Sequence, residues 1–396
     1  MERVWSLPRS MSHRLVALVA VVVTLAIILV WNSRQQTKPI ENPQSMQLLQ
    51  GSTMGTTYAI RYLPELHSPR RQEVHRLVDE ELYRVNQQMS TYIQDSEIMR
   101  FNVSRSTDWF SVSIETVSVV DLSQQISVVS DGAFDVTVGP LVNLWGFGPA
   151  KRKNSIPADA ELESAKAAVG FKNLAVRLDP PALKKMDPAL QVDLSAIAKG
   201  HGVDRVSEVL RTHGIKNYFI EIGGEIFASG MRVDGMPWQV GIEAPLDFKR
   251  SIQTIIGISG VALATSGDYR NFFESEGQRF SHTIDPNTGR PVTHQLASAS
   301  VVADNCALAD AIATCMMVLG PDEGLKLAET KHWAVLLMQR KSGQILSTFS
   351  TRFSELFPEV CEHLRVTSLG SGPGFGIQCC EFAYVNVLNR RRTDGF

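Results

Sequence analysis

Cysteine is missing ahead of Cys306 in this 396-residue chain, and the total is five. That excludes a disulfide framework and a cysteine-ligated zinc site. An excess of one charge is missing too: 39 Lys and Arg stand against 41 Asp and Glu, a formal net charge of −2. No basic surface for nucleic acid is therefore expected. Charged residues make up 20% and hydrophobic residues 44%, usage that excludes disordered, collagen-like and coiled-coil chains. There is no internal repeat. No G-x-G-x-x-G follows a strand pattern, and Walker A, H-E-x-x-H and G-x-S-x-G are all absent. A Rossmann cofactor site, a P-loop, a zincin and a serine hydrolase thus have no residues to stand on.

A long apolar run is present. Leu15–Trp31 reads LVALVAVVVTLAIILVW, with Thr24 its one weakly polar member and no charge. As a helix it reaches about 26 Å, near the low end for crossing a hydrocarbon core. Arg3, Arg9, His13 and Arg14 precede it, which keeps the N-terminus cytoplasmic and sends the remainder across. The following WNSRQQTKPI offers no small-residue cleavage site and no lipoprotein cysteine. Residues 1–31 are therefore expected to be an uncleaved single-pass transmembrane anchor. Residues 32–50, polar and holding Pro39 and Pro43, read as a tether. The working domain is expected over 51–358, and 359–396 as an unrelated C-terminal extension whose removal after Val360 leaves the fold intact.

Periodicity predicts helices over Arg70–Met89, Ile114–Ser130, Pro157–Gly170, Ser195–His213 and Asn305–Leu319, the last ended by Gly320-Pro321, where another begins. Short alternating runs predict strands at Tyr218–Ile222, Glu225–Ser229, Gln239–Ile242, Thr254–Ile258, Val261–Thr265 and Trp333–Gln339. Strands and helices mix without a βαβ rhythm. The expected class is α+β, with mixed or antiparallel sheets and packed helices.

Asp310 and Thr314 stand four apart on a predicted helix, so both oxygens leave one face. Carboxylate and hydroxyl are hard donors of the kind that hold Mg²⁺ together with a phosphate ligand. Such a pair is usually just exposed. Here Cys306, Ala307, Ala309, Ala311, Ala313, Cys315 and Met316 surround it, so the helix reads as buried nearly all round and Asp310 needs a partner that its own helix lacks. Asp193 and Ser195 precede a helix and read as N-caps; the same terminus is an anion site, to which Lys199 adds a positive charge. His282 stands before the turn Asp285-Pro286-Asn287-Thr288-Gly289. A lone histidine is more often structural, but among these polar side chains it is a candidate general base or phosphate contact.

These segments occur in a particular order: M-G-T-T-Y, S-T-Y-x₃-S-E-I, G-A-F-D-V-T-V-G-P-L-V-N-L-W-G-F-G, D-L-S-A-I-A-K-G, E-I-G-G-E-I, S-G-D-Y-R-N-F, S-H-T-I-D-P-x-T-G-x-P-V and A-D-A-I-A-T. The order resembles that of the ApbE family of FAD:protein FMN transferases, over about residues 48–358. The resemblance implies a magnesium-dependent enzyme on the outer face of the bacterial inner membrane. It splits FAD at the pyrophosphate, attaches FMN to a Thr or Ser of an acceptor protein and releases AMP. It implies Met54, Tyr92, Ala133, Phe134, Asp135, Asp193, Lys199 and Ile284 around FAD. Ala196 through its backbone oxygen, with Asp310 and Thr314, would hold Mg²⁺; Asp310 and His282 would be the catalytic pair, with His282 assisting the acceptor hydroxyl. Acceptors of the family carry D-x-x-[ST]-G-A-[ST], as in subunits of Na⁺-translocating NADH:quinone reductase and Rnf-type complexes. That pattern is absent here, so the chain is not expected to be its own target. Two other activities suit the same residues: an FAD pyrophosphatase using water, and a flavin-binding module without turnover. A binding module has no need of His282 or of a metal pair.

Overall fold

A computed structural model of the chain describes residues 45–149, 156–246, 251–268, 272–275, 278–341 and 343–369. The apolar run at 15–31, most of the expected tether and the tail after 369 lie outside these. Among the described residues, no helix is long and apolar enough to cross a membrane.

The centre of the Met46 onward unit is one eight-stranded sheet, labelled in chain order: β1 (Gln47–Thr53), β2 (Thr56–Leu63), β3 (Asn217–Ile222), β4 (Glu225–Ser229), β5 (Val261–Gly267), β6 (Leu296–Ala303), β7 (Ala334–Lys341) and β8 (Gln344–Phe349). Spatial order equals chain order, and every neighbouring pair is antiparallel. The class is α+β, with an antiparallel central sheet.

Strand alternation divides the apolar residues between two faces. On β5–β7, Ala262, Ala264, Ala299, Val301, Val335 and Leu337 face the main core, and Leu263, Val302, Leu336 and Met338 face a second one. The main core is covered by α1 (Arg71–Met89), α2 (Ile114–Val129), α3 (Ala198–Thr212) and α4 (Cys306–Lys331). Helix α4 lies on β5 and β6, and its alanines (307, 309, 311 and 313) share the main core with the alanines of those strands. Gly320 (φ +79°) breaks α4 ahead of Pro321, where the sequence places a stop and a new start. A third, smaller cluster joins Leu141, Leu144, Trp145 and Leu162 to Phe273 and Ile284.

Two expected boundaries move. The domain begins at Gln47 rather than Gly51: β1 pairs along its length with β2, and Leu49 is fully buried. The domain also runs past 358. Helix α5 (Pro358–Leu369) seats Cys361 and Leu364 in the second core beside Phe353, so this stretch is not an appendage. Truncation after Val360 removes both side chains. It is expected to cost about 2–5 kcal/mol and to lower the melting temperature by at least roughly 4 °C; an unchanged melting curve would return α5 to the status of an extension.

Candidate functional site

Two tight turns set the floor of the site. Gly223-Gly224 joins β3 to β4 with φ of +62° and +105°, and positive φ at both central positions is the hairpin geometry that glycine supplies. Glu225 follows at once, opposite Ile222. The neighbouring β1–β2 turn puts Met54, a non-glycine residue, at φ +49°, a strained state that needs support from its surroundings. Support comes from α3, where the Met54 methyl group fills the space that a side chain at Gly202 would take.

Above this floor, α3 and the start of α4 cross backbone to backbone at Gly200. A methyl group at Gly200 would lie 2.3 Å from the Cys306 carbonyl oxygen. On the same stretch, Asp204 accepts the Cys306 and Ala307 N–H groups at 2.7 and 2.9 Å, capping α4 from another helix. Burial pushes the Asp204 carboxyl up to about 6, while those two donors oppose the rise. Gly200→Ala is expected to force the helices apart, costing about 1–3 kcal/mol and slowing turnover on the order of 10²-fold through misplacement. Melting curves read beside activity check this, and a variant with wild-type values on both would show that the crossing is not critical.

The crossing gives Asp310 the partner its own helix lacks. Asp310 Oδ2 accepts the Gly200 N–H at 3.0 Å. That N–H would close on the Ala196 carbonyl in a continuing helix, and no backbone donor reaches that carbonyl among the described residues. Asp310 Oδ1 lies 3.7 Å from Lys199 Nζ, and Lys199 in turn donates to Glu225 Oε1 at 2.6 Å. Glu225 and Asp310 are 4% and 2% exposed, against 31% for Lys199. Burial pushes both carboxyls up, and the Lys199 ammonium opposes it. Burial pulls Lys199 down, but Asp310 and Glu225 outweigh it and the amine stays protonated. Two carboxylates thus share one cation. One turn along α4, Thr314 Oγ1 is 3.2 Å from Ser266 Oγ on β5.

The Ala196 carbonyl, Asp310 Oδ1 and Thr314 Oγ1 are hard oxygen donors with spare lone pairs, suited to a divalent cation that keeps some ligands from substrate or water. Among the described residues, no group of three His, Cys, Asp or Glu side chains could hold a metal. A cation would therefore depend on this mixed set.

Some expected residues take other local roles. Helix α3 starts at Ala198, not Ser195, with no side-chain cap. Asp193 is occupied before the helix begins: its Oδ1 accepts both the Ser195 N–H (2.9 Å) and the Ser195 hydroxyl, a closed turn that sets up residues 194–197. Asp135 is likewise engaged, accepting the Thr137 N–H and hydroxyl at 2.7 Å each and the Phe171 N–H at 2.8 Å. Ala133 and Phe134 are buried beside it. The Asp193 N–H donates to the Val136 carbonyl, tying these two segments together. Tyr92 is exposed, and partial burial of its hydroxyl, then the Asp193 charge, raise its pKa. His282 follows the strand Gln278–Ser281, its ring edge-on to Phe147 at 6.3 Å, and Ile284 is buried two residues on. The turn after Ile284 brings Asn287 next to Gly132, so the His282 loop borders the Ala133–Asp135 segment.

Glu225, Asp204 and Ser266 were not foreseen from sequence. A charged residue directly after Gly-Gly was the available signal for Glu225. Asp204 caps a helix about a hundred residues away in the chain, and nothing local announces that.

The sequence matches the ApbE family over residues 54–337. It is 46% identical over 298 residues to the FAD:protein FMN transferase of Vibrio cholerae serotype O1, covering 75% of this chain and 89% of that one. With the Escherichia coli K12 protein of the same name it shares 37% over 308 residues, 77% and 88% of the two chains. Among solved structures, the flavin transferase ApbE from Vibrio cholerae aligns with a TM-score of 0.74 at 42% identity, covering 79% of this chain and 99% of that one. The apo flavinyl transferase ApbE from Pseudomonas stutzeri aligns at 0.73 and 38%, covering 79% and 97%.

Proposed function

The chain belongs to the ApbE family, and on that premise we propose that it moves FMN from FAD onto a Thr or Ser hydroxyl of an acceptor protein, with Mg²⁺ as cofactor and AMP as the leaving product. The observation that carries this reading is the pair of buried carboxylates sharing one ammonium where α3 crosses α4. Such a site suits a dianionic pyrophosphate that arrives with a divalent cation.

The acceptor oxygen forms a bond to the FMN phosphorus, the bond from that phosphorus to the AMP oxygen breaks, and AMP leaves with the electron pair. Phosphoryl transfer of this kind depends mainly on positioning and charge stabilisation. Lys199 holds a pyrophosphate oxygen with an N–H that Glu225 does not use. Met54, Tyr92, Ala133, Phe134, Asp135, Asp193 and Ile284 border the flavin nucleotide, several of them through backbone groups because their side chains are buried or occupied. His282 takes the proton of the acceptor hydroxyl. Mg²⁺ held by Ala196, Asp310 and Thr314 would offset the charge that builds on the phosphoryl oxygens.

Mixing the protein with FAD, Mg²⁺ and a domain carrying D-x-x-[ST]-G-A-[ST], such as a subunit of an Na⁺-translocating NADH:quinone reductase or an Rnf-type complex, tests the reading. In-gel flavin fluorescence and AMP release should rise together. AMP and free FMN without an acceptor would point to a pyrophosphatase, and intact bound FAD to a storage module.

The apolar run at 15–31 supports placing the enzyme in the bacterial inner membrane as a single-pass protein with its catalytic domain on the periplasmic side. Alkaline phosphatase joined after Ser45 should be active; an inactive fusion reverses the topology.

A further inference from the structure

We infer that Glu225 is a positioning residue that holds the Lys199 ammonium away from Asp310, so that the Asp310 carboxylate stays open to a divalent cation. The inference rests on the reading of Asp310 as the cation's carboxylate.

Lys199 has two buried carboxylates within reach and is not placed midway between them. It donates to Glu225 at 2.6 Å and stops 3.7 Å from Asp310 Oδ1, about 1 Å beyond a charge-assisted hydrogen bond. The Lys199 stem runs past the Gly223-Gly224 turn, with Cδ 3.4 Å from the position of a Gly223 side chain. That turn also delivers Glu225. It is fixed on both sides: the Gly223 N–H donates to the Thr57 carbonyl at 3.1 Å and the Gly224 N–H to Glu221 Oε1 at 2.7 Å. Glu225 thus stands at the start of a strand whose turn is held by two hydrogen bonds.

Asp310 is arranged in a complementary way. Its Oδ2 is committed to the Gly200 N–H, leaving Oδ1 as the coordinating oxygen. An ammonium that closed the last ångström onto Oδ1 would take the lone pairs a cation needs. Glu225 prevents this by charge as well as by distance. Its second oxygen, Oε2, is buried with no hydrogen-bond partner, so the residue keeps an unsatisfied carboxylate oxygen in the interior. Such an oxygen is costly in a purely structural role. Glutamine at 225 keeps the shape but removes the charge, leaving Asp310 as the one buried carboxylate that faces Lys199 among the described residues.

Mn²⁺ binding to the full-length protein in detergent, followed by the electron paramagnetic resonance of free Mn²⁺, reads this without turnover. E225Q is expected to weaken Mn²⁺ binding at least tenfold. K199M alone should change it less than threefold, because the ammonium it removes is already held elsewhere. Added to E225Q, K199M should restore binding to within threefold of wild type. Wild-type affinity in E225Q overturns the inference. So does a double variant as weak as E225Q, which would make the loss structural, or additive effects of the two changes, which would reduce Glu225 to a distant charge. Should E225Q not fold in chelator, E225D, with its carboxylate withdrawn by one methylene, should bind Mn²⁺ at least threefold more weakly, and unchanged binding overturns the inference equally. D310A separates the two layers. If D310A binds as wild type does, or wild type binds no Mn²⁺, the cation reading itself falls; if D310A loses binding and E225Q keeps it, only the task given to Glu225 falls.

Discussion

Asp310→Ala is expected to slow FMN transfer on the order of 10³-fold, as removal of a metal's stabilisation of developing charge would, and to leave the fold at least as stable as before. In the cation-free protein, two buried carboxylates share one ammonium, an arrangement that leaves negative charge in the interior without full compensation. Alanine at 310 leaves Lys199 with Glu225 as an even pair and frees the Gly200 N–H to return to the Ala196 carbonyl. In chelator the variant should melt at or above the wild-type temperature. Loss of transfer with unchanged or higher stability identifies a side chain retained for chemistry at some cost to the fold. Near wild-type transfer at limiting Mg²⁺ would remove Asp310 from the site, and a steep fall in melting temperature would make it structural.

His282→Ala should separate binding from chemistry. An acceptor hydroxyl is a weak nucleophile at its own pKa, and a positioned base contributes roughly 10²–10⁴-fold. The His282 ring stands against Phe147 beside the third apolar cluster, and its task in the proposed reaction is the acceptor proton, not the pyrophosphate. FAD affinity should therefore stay within a few-fold of wild type while transfer slows at least roughly 10²-fold. A parallel fall in binding would make His282 a substrate-positioning residue. Unchanged transfer would place the base elsewhere.

The fold was legible in sequence where periodicity is local. The stripe Val74, Val78, Leu82, Val85 and Met89 gave α1, and Gly320-Pro321 gave the break in α4. It was less legible where a side chain's duty is set by a distant neighbour. Asp193 and Ser195 look like caps for α3, yet they bond to each other and delay the helix to Ala198. Leu48 and Leu49 sit in a polar stretch and read as tether, because a strand with one buried side shows too few apolar residues to stand out. Cys361 and Leu364 lack a clear period and became visible as core only once Phe353 and the second sheet face were in place. The candidate site divided in the same way. Asp310 was marked by its apolar surroundings, and the need for a partner was plain from its helix. That Lys199 and Glu225 meet that need depends on the crossing at Gly200 and on a hairpin turn, neither of which the spacing of residues along the chain reveals.

The sheet's order has a kinetic consequence. β2 pairs with β3 through contacts such as Ile60 with Ile220, so the chain must close a loop of about 160 residues to make one internal seam of an otherwise sequential meander. That closure costs roughly 4 kcal/mol more in chain entropy than closing a two-residue turn, and contacts so far apart slow folding. During synthesis, β1 and β2 emerge ahead of β3. The edge of β2, with Ala59, Ile60 and Tyr62 in its middle, then waits unpaired until residue 217 and beyond arrive. An open apolar edge is the form in which chains aggregate. Its vulnerability should therefore depend on how quickly the segment 64–216 is delivered and packed, so that chaperone capture of the nascent chain ends when β3 and β4 dock, well before α4 completes the site.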